Sequence, residues 1–285
     1  MTETSDFAET QGGSGPAPLP EMQATAAWQA AWGVTDFNLY YGLAVRPIAQ
    51  YRAYCDYVGR LNAILKPAQG AAKTLLYYPI YDLWAEYLPT AEPLRLESQS
   101  PRAQRIVGSF MRLGETLQRS QVPFVLVDHE NLARATARAD GGLVLAGRRY
   151  EALVLPDGVE LPAQAAQVVE RGRREGLRVL AGPWDETSLS ARSLVERLHP
   201  DYRISPASAT VCLGQFVRDG RAIVVAVNVG RQPYAGELAP AIAHAGPWQQ
   251  LDPAGGSIRP APNDASGRIR LSLAPRQVVL LVSGP

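Results

Sequence analysis

From Ile48 to Leu65 the chain places apolar or aromatic residues at Ile48, Tyr51, Tyr54, Cys55, Val58, Leu61, Ile64 and Leu65. Offsets of three and four predict an amphipathic helix, ended by Pro67 and Gly70. Upstream, EMQATAAWQAAW combines good helix formers with Met22, Ala26, Trp28 and Trp32 and predicts a shorter helix. Between the two lies WGVTDFNLYYG, where Val34, Phe37, Leu39 and two tyrosines sit between Gly33 and Gly42. That pattern predicts a largely buried strand of about six residues, with apolar side chains worth roughly 1.5 to 3 kcal/mol each on burial. This strand and the helix after it need cover, and the expectation is that residues 32 to 65 lie against the α/β domain or a second chain.

A different rhythm begins at KTLLYYP. Continuous apolar runs, namely TLLYY, VPFVLV, YEALVLP and LRVLAG, alternate with helical segments such as RAQRIVGSFMRLGETLQRS, HENLARATA and LPAQAAQVVERGRREG, and GGLVLAGRRY makes a small antiparallel excursion. Strands without polar alternation, separated by helices, predict a layered α/β domain with a mostly parallel sheet over residues 71 to 205. From residue 206 the helices stop. TVCLGQFVRDGRAIVVAVNVG reads as a hairpin turning at Asp219-Gly220, and PYAGELA, PWQQLDP, GRIRLSLA and RQVVLLVSG follow as short strands, which predicts an antiparallel β-sandwich over 206 to 285. Residues 1 to 20, with acids but no bases and then Gly, Ser and Pro, read as a flexible tail.

Composition narrows the function classes. The net charge is +1 over 285 residues, and 28 basic residues, all Arg except Lys66 and Lys73, are balanced by 27 acids, so no nucleic-acid surface is indicated. Cys55 and Cys212 both fall in apolar patterns and are expected as buried free thiols. A signal peptide and an apolar run of membrane-spanning length are both missing from the pattern, so a cytoplasmic protein without a membrane partner is expected.

Most familiar catalytic patterns are excluded. The strand KTLLYY is followed by PIYDLWAEYLP, without the glycines a phosphate loop needs, and the turn after YEALVLP holds Pro156, Asp157 and Gly158 rather than a nucleophile. His129, His199 and His244 have no ligand spacing, so neither a metal nor a cofactor is expected. Asp128 and Glu130 remain as ligand-edge candidates, because they follow VPFVLV at the carboxyl end of a strand where open α/β sheets bind ligands. The competing reading makes Asp128 a helix cap. Asp82 and Glu86 share a helix face among Tyr81, Trp84 and Tyr87, rings that either pack against a neighbouring domain or border a sugar. Asn38, Tyr40 and Tyr41 end the first strand and would contact sugar only if a barrel surrounded them.

Taken in order, WQAAWGVTDFNLYYG, YRAYCDYVGRLNAILK, KTLLYYPIYDLWAEY, VPFVLVDHENL, YEALVLP, LRVLAGP, FVRDGRAIVVAVNVG and WQQLDPAGG resemble the C-terminal part of large multidomain glycoside hydrolases over about residues 22 to 285. The likeness is to rhamnosidase-like and family 42 β-galactosidase-like enzymes. It implies that residues 21 to 70 are the end of a (β/α)8 barrel. It also implies that the α/β region is a flavodoxin-like, class I glutamine-amidotransferase-like domain without amidotransferase chemistry, serving oligomer contacts or an active-site wall. The same likeness makes Trp248, Asp252, Pro253 and Gly256 a structural turn of the terminal sandwich.

One departure bears on activity. Retaining enzymes of this kind hold two carboxylates about 5 to 5.5 Å apart, and a whole barrel takes about 250 residues. Upstream of the WGVTDFNLYYG strand stand only Glu3, Asp6, Glu9 and Glu21, and within it only Asp36. The expectation is a truncated, non-catalytic fragment or accessory subunit, which pairs with itself or with a chain carrying the catalytic barrel. Two alternatives stay open: a self-sufficient glycosidase with a rebuilt site using Asp36 with Asp82 or Glu86, and a carbohydrate-binding module using Tyr81, Trp84 and Tyr87.

Overall fold

The computed structural model describes residues 2–4, 17–39, 46–89, 93, 95–242 and 246–284. The chain divides into two compact units, Met1–Ala71 with Pro200–Pro285, and Ala72–His199. Both parallel and antiparallel sheets are present with flanking helices, an α/β plus all-β architecture.

The first unit opens with β1 (Thr2–Thr4), α1 (Leu19–Ala31), β2 (Phe37–Leu39), α2 (Ile48–Leu65) and β3 (Gln69–Gly70). Of the segment read as a flexible tail, Thr2–Thr4 pair in parallel with Phe37–Leu39, and Leu19–Pro20 already belong to α1. Of the strand expected within WGVTDFNLYYG, Phe37–Leu39 are described as β2, and Val34 and Phe37 are only half-buried. On α2 the buried stripe is Tyr51, Tyr54, Tyr57, Leu61 and Leu65. Cys55 and Ile48 are exposed, contrary to expectation, because the helix turns Tyr57 inward in their stead; Cys212 is buried as expected.

The second unit contains β4 (Thr74–Tyr77), α3 (Ile80–Glu86), α4 (Pro101–Arg119), β5 (Phe124–Val127), α5 (His129–Arg134), β6 (Thr136–Ala137), β7 (Leu143–Leu145), β8 (Arg148–Tyr150), β9 (Ala152–Leu155), α6 (Ala163–Arg174), β10 (Arg178–Ala181) and α7 (Ala191–Leu198). Its four-stranded parallel sheet has the order β10-β9-β4-β5. Residues of β4 and β9 are buried throughout, which accounts for their unbroken apolar sequences. One core, with Tyr77, Leu132 and Leu153, packs toward α5 and α6, and another, with Leu76, Leu113 and Val154, toward α4 and α7. The antiparallel excursion is the small sheet β6-β7-β8.

The chain then completes the first unit with β11 (Tyr202–Ser205), β12 (Val211–Arg218), β13 (Arg221–Asn228), β14 (Tyr234–Pro240), β15 (Trp248–Leu251), β16 (Ile258–Ala261), β17 (Ile269–Leu273) and β18 (Val278–Ser283). The turn between β12 and β13 has positive φ at both Asp219 and Gly220, as an Asp-Gly hairpin requires. A three-stranded sheet, β11-β14-β17, faces a six-stranded one, β16-β15-β18-β13-β12-β3. Val224, Ala226, Val279 and Leu281 point into the core between the sheets, with Trp248 and Leu271. Their alternates Ile223, Val225, Val227, Val278 and Leu280 point the other way, onto Met22, Ala26 and Ala30 of α1 and Tyr54, Tyr57 and Leu61 of α2. Contrary to expectation, the cover that α2 requires comes from this antiparallel sheet of its own unit, whose apolar residues on the face away from the sandwich core pack on it.

Alanines on α1 let its backbone come close to β12. A β-carbon added to Gly214 would lie 2.4 Å from the Ala31 carbonyl oxygen and 2.6 Å from its Cα, both backbone atoms. Gly214→Ala should destabilise the fold by about 1 to 3 kcal/mol, the usual range for overpacking. Urea denaturation checks this, and an unchanged midpoint would show that α1 does not rest on β12 as described.

Candidate functional site

The most concentrated polar chemistry near a strand terminus lies where β4 and β9 end. These neighbours are the first and third strands of the parallel sheet, and their onward connections run in opposite directions, which makes this the switch point where open α/β sheets bind ligands. Ser100 caps α4 by accepting from Ala103 N at 3.1 Å, and Pro101 at the first helical position fixes the helix start. Arg102 follows in the first turn. Its Nη2 donates to Asp82 Oδ1 at 2.8 Å and its Nη1 to Glu86 Oε1 at 3.2 Å, so one guanidinium spans both acids of α3. Asp82 Oδ1 also accepts from Glu160 N at 2.8 Å, and Arg102 Nη2 donates to the Gly158 carbonyl at 3.3 Å.

Chemically this is an ion network. The Asp82 side chain is 1% exposed and pairs through Oδ1 with Arg102, which is 29% exposed, while Asp82 Oδ2 and the Tyr77 hydroxyl are buried without a hydrogen-bond partner. Glu86 also accepts from the Ser100 hydroxyl. That bond first, and then Arg102, hold its carboxyl below the ordinary value. Beside the network, Tyr77 is buried, and burial together with the nearby Asp82 and Asp128 carboxylates pushes its hydroxyl strongly up. At the end of β9, Asp157 accepts from Trp184 N at 3.1 Å, and its own N–H donates to Ser109 Oγ at 2.8 Å.

The remaining candidates are dispersed. Asp128 caps α5, accepting from Asn131 N at 2.8 Å, and Glu130 is exposed, 3.9 Å from Arg134 one turn on. Tyr81 and Trp84 both contact the His129 ring, with centroids 5.0 and 5.9 Å away, and Trp84 is nonetheless 64% exposed. Tyr78, Tyr87 and Leu88 are also exposed, and Tyr78 meets the Phe110 ring of α4 at 5.8 Å. In the first unit, Asp36 pairs with Lys66 at 2.9 Å, and that bond holds its carboxyl below the ordinary range. Asn38 is exposed, while Tyr40 and Tyr41 lie outside the described residues.

Trp248 is buried, its ring meeting Tyr202 edge to face at 6.2 Å. Asp252 accepts from Ala254 N and Gly255 N, and the turn closes on Gly256 at φ +71° with Gly256 N donating to the Asp252 carbonyl at 2.8 Å. Arg60 of α2 donates to the Pro253 carbonyl at 2.8 Å and to the Ala254 carbonyl at 3.1 Å. Among the described residues no group of three or more His, Cys, Asp or Glu is arranged to hold a metal ion. No helix of the described residues is long and apolar enough to cross a membrane.

Sequence reasoning missed Arg102. The available signal was a cation in the first turn of a helix, where the macrodipole disfavours it, following two acids one turn apart on the preceding helix.

The fold is that of part of several larger carbohydrate-active enzymes. No family model matches the sequence, and neither does any curated protein. Among solved structures, a rhamnosidase from Novosphingobium sp. PP1Y matches 93% of this chain and 30% of its own length, with a TM-score of 0.64 at 15% identity. A β-galactosidase from Bacillus circulans sp. alkalophilus matches 100% of this chain and 55% of its own, with a TM-score of 0.62 at 12% identity. An exo-carrageenase of family GH42 from Bacteroides ovatus matches 94% and 40%, with a TM-score of 0.51 at 14% identity. The chain thus shares its fold with part of each of these glycoside hydrolases, and it spans 30% to 55% of the length of these three.

Two outcomes test the ion network. Arg102→Met leaves Asp82 buried without its cation and should cost about 3 to 5 kcal/mol, read by urea denaturation; a loss under about 1 kcal/mol, the worth of a surface pair, would contradict the described burial. The folded-state pKa of Glu86 lies below its ordinary 4.5, so its contribution is full above that value and lost as pH falls through the lower folded pKa. Glu86→Gln should therefore lower Tm at neutral pH, with the gap to wild type closing below pH 4.5. A gap that stays constant through that range would count against the ion pair.

Proposed function

We propose that this chain is a non-catalytic module of a glycoside hydrolase and works beside a catalytic barrel that supplies the paired carboxylates. The observation that carries this reading is the engagement of its candidate acids. Asp82 and Glu86 share Arg102, and Asp36 pairs with Lys66. A general acid for glycosidic cleavage needs a carboxyl held above its ordinary value, whereas Glu86 and Asp36 are held below theirs. The match of nearly the whole chain to part of each larger hydrolase supports the same assignment.

Finer domain identities belong to this proposal. The first four parallel strands, in the order second, first, third, fourth, support a flavodoxin-like, amidotransferase-like domain over 71 to 205. The parallel pair β1–β2 followed by α2 supports an origin for residues 21 to 70 at the end of a barrel, with the sandwich taking 206 to 285. In this reading the exposed face of Tyr78, Tyr81, Trp84 and Tyr87 is where the barrel module, or a second copy of the chain, packs.

A second reading, saccharide binding on that face, is favoured by the exposure of Trp84, whose ring offers a flat apolar surface to sugar C–H groups. Purified chain should show no turnover of aryl β-galactosides or α-rhamnosides above the buffer rate. Turnover that is lost in Asp36→Asn, Asp82→Asn or Glu86→Gln would overturn the non-catalytic reading. Retention on neutral galactan in affinity electrophoresis, lost in Trp84→Ala, would favour the second.

A further inference from the structure

The terminal sandwich contains a cleft of about 560 Å3 lined by residues of β14 and β17, of β15 and β16, and of the chain leaving β16. Ile269, Leu271 and Leu273 of β17 point into the sandwich core, which turns Arg270 and Ser272 outward. Gln250 and Arg259 are direct partners across β15 and β16, so their side chains rise from one face.

Both acids of the cleft are already engaged. Glu237 pairs with Arg268 at 3.5 Å. Asp264 Oδ1 accepts from Ser266 N at 2.8 Å, from Ser266 Oγ at 2.7 Å and from Arg268 N at 2.9 Å, closing its own turn. The guanidiniums of Arg259 and Arg270 make no ion pair or hydrogen bond with the described residues. Two guanidiniums therefore line the cleft with their forks unused, and a guanidinium fork matches the geometry of a carboxylate or sulfate. No aromatic side chain is among the lining residues described, so a neutral sugar finds no ring to stack on.

We propose that this cleft binds a saccharide bearing an oxyanion, either a uronate carboxylate or a sulfate ester. Arg259 and Arg270 take the anionic group, and Gln250, Asn263 and Ser272 hydrogen-bond the sugar hydroxyls. The oxyanion half of the assignment stands on the cleft alone, whereas the saccharide half rests on the reading of the chain as a glycoside hydrolase module.

Calorimetric titration of the full chain at low ionic strength tests this, with trigalacturonate, a sulfated galactotriose, neutral galactotriose and sodium sulfate as separate probes. One or both charged saccharides should bind, with affinity lost at least about tenfold in each of Arg259→Gln and Arg270→Gln, the scale of a charge-assisted hydrogen bond. Both arginines are exposed, so unchanged Tm values will show that the variants fold. Absence of binding by both charged saccharides, equal binding of neutral galactotriose, or unchanged affinity in the two variants would overturn the proposal. Sodium sulfate binding as tightly as the saccharides would overturn its saccharide half. None of these readouts involves hydrolysis, so failure here is distinguishable from failure in the aryl-glycoside test.

Discussion

The first unit depends on one constraint, the burial of the β13 and β18 sheet on both faces. An antiparallel sheet often leaves one face in water and then alternates polar with apolar residues. Here Val224 and Val279 enter the sandwich core while Val225 and Val278 meet α1 and α2, so neither face has a solvent side. Each of these apolar side chains is worth about 1.5 to 3 kcal/mol on burial. Helices α1 and α2 thus share a core with the last strands, despite the sequence distance, and Arg60 ties α2 to the turn at Pro253. The helices and the sandwich need each other for cover.

In the second unit, charge governs what the sheet terminus can do. At a switch point, the ends of β4 and β9 would ordinarily frame a ligand crevice. Arg102 binds both acids of α3 there and reaches the Gly158 carbonyl beyond β9, so the two acids share one cation. A scaffold role follows from this arrangement more readily than proton transfer, because a carboxylate fixed to a guanidinium is stabilised in its ionised form.

Much of this organisation could be read from the sequence where period and composition agree. The buried runs TLLY and ALVL, the Asp219-Gly220 hairpin and the alternation at Ile269, Leu271 and Leu273 each became the expected kind of element. Partners were harder to read than elements. The run of β13 was legible as a hairpin strand, but its cover by α1 and α2 was not, since that pairing spans more than 150 residues of chain. The inward turn of Tyr57 and outward turn of Cys55 depend on which side of α2 meets the sheet, and the apolar pattern fits either assignment. The site was legible only in part. Asp128 as a cap follows from its position before a helix, whereas the capture of Asp82 and Glu86 by Arg102 is set by tertiary packing of α3 on α4.

The protonation of the candidate carboxylates tests the non-catalytic reading most directly. Site-resolved NMR titration of the side-chain carboxyl carbons should find Glu86 below its ordinary 4.5 and Asp36 below its ordinary 3.8, held there by Ser100 with Arg102 and by Lys66. Either group titrating near or above about 6, where a glycosidic general acid is tuned, would contradict the claim that these acids are committed to structure.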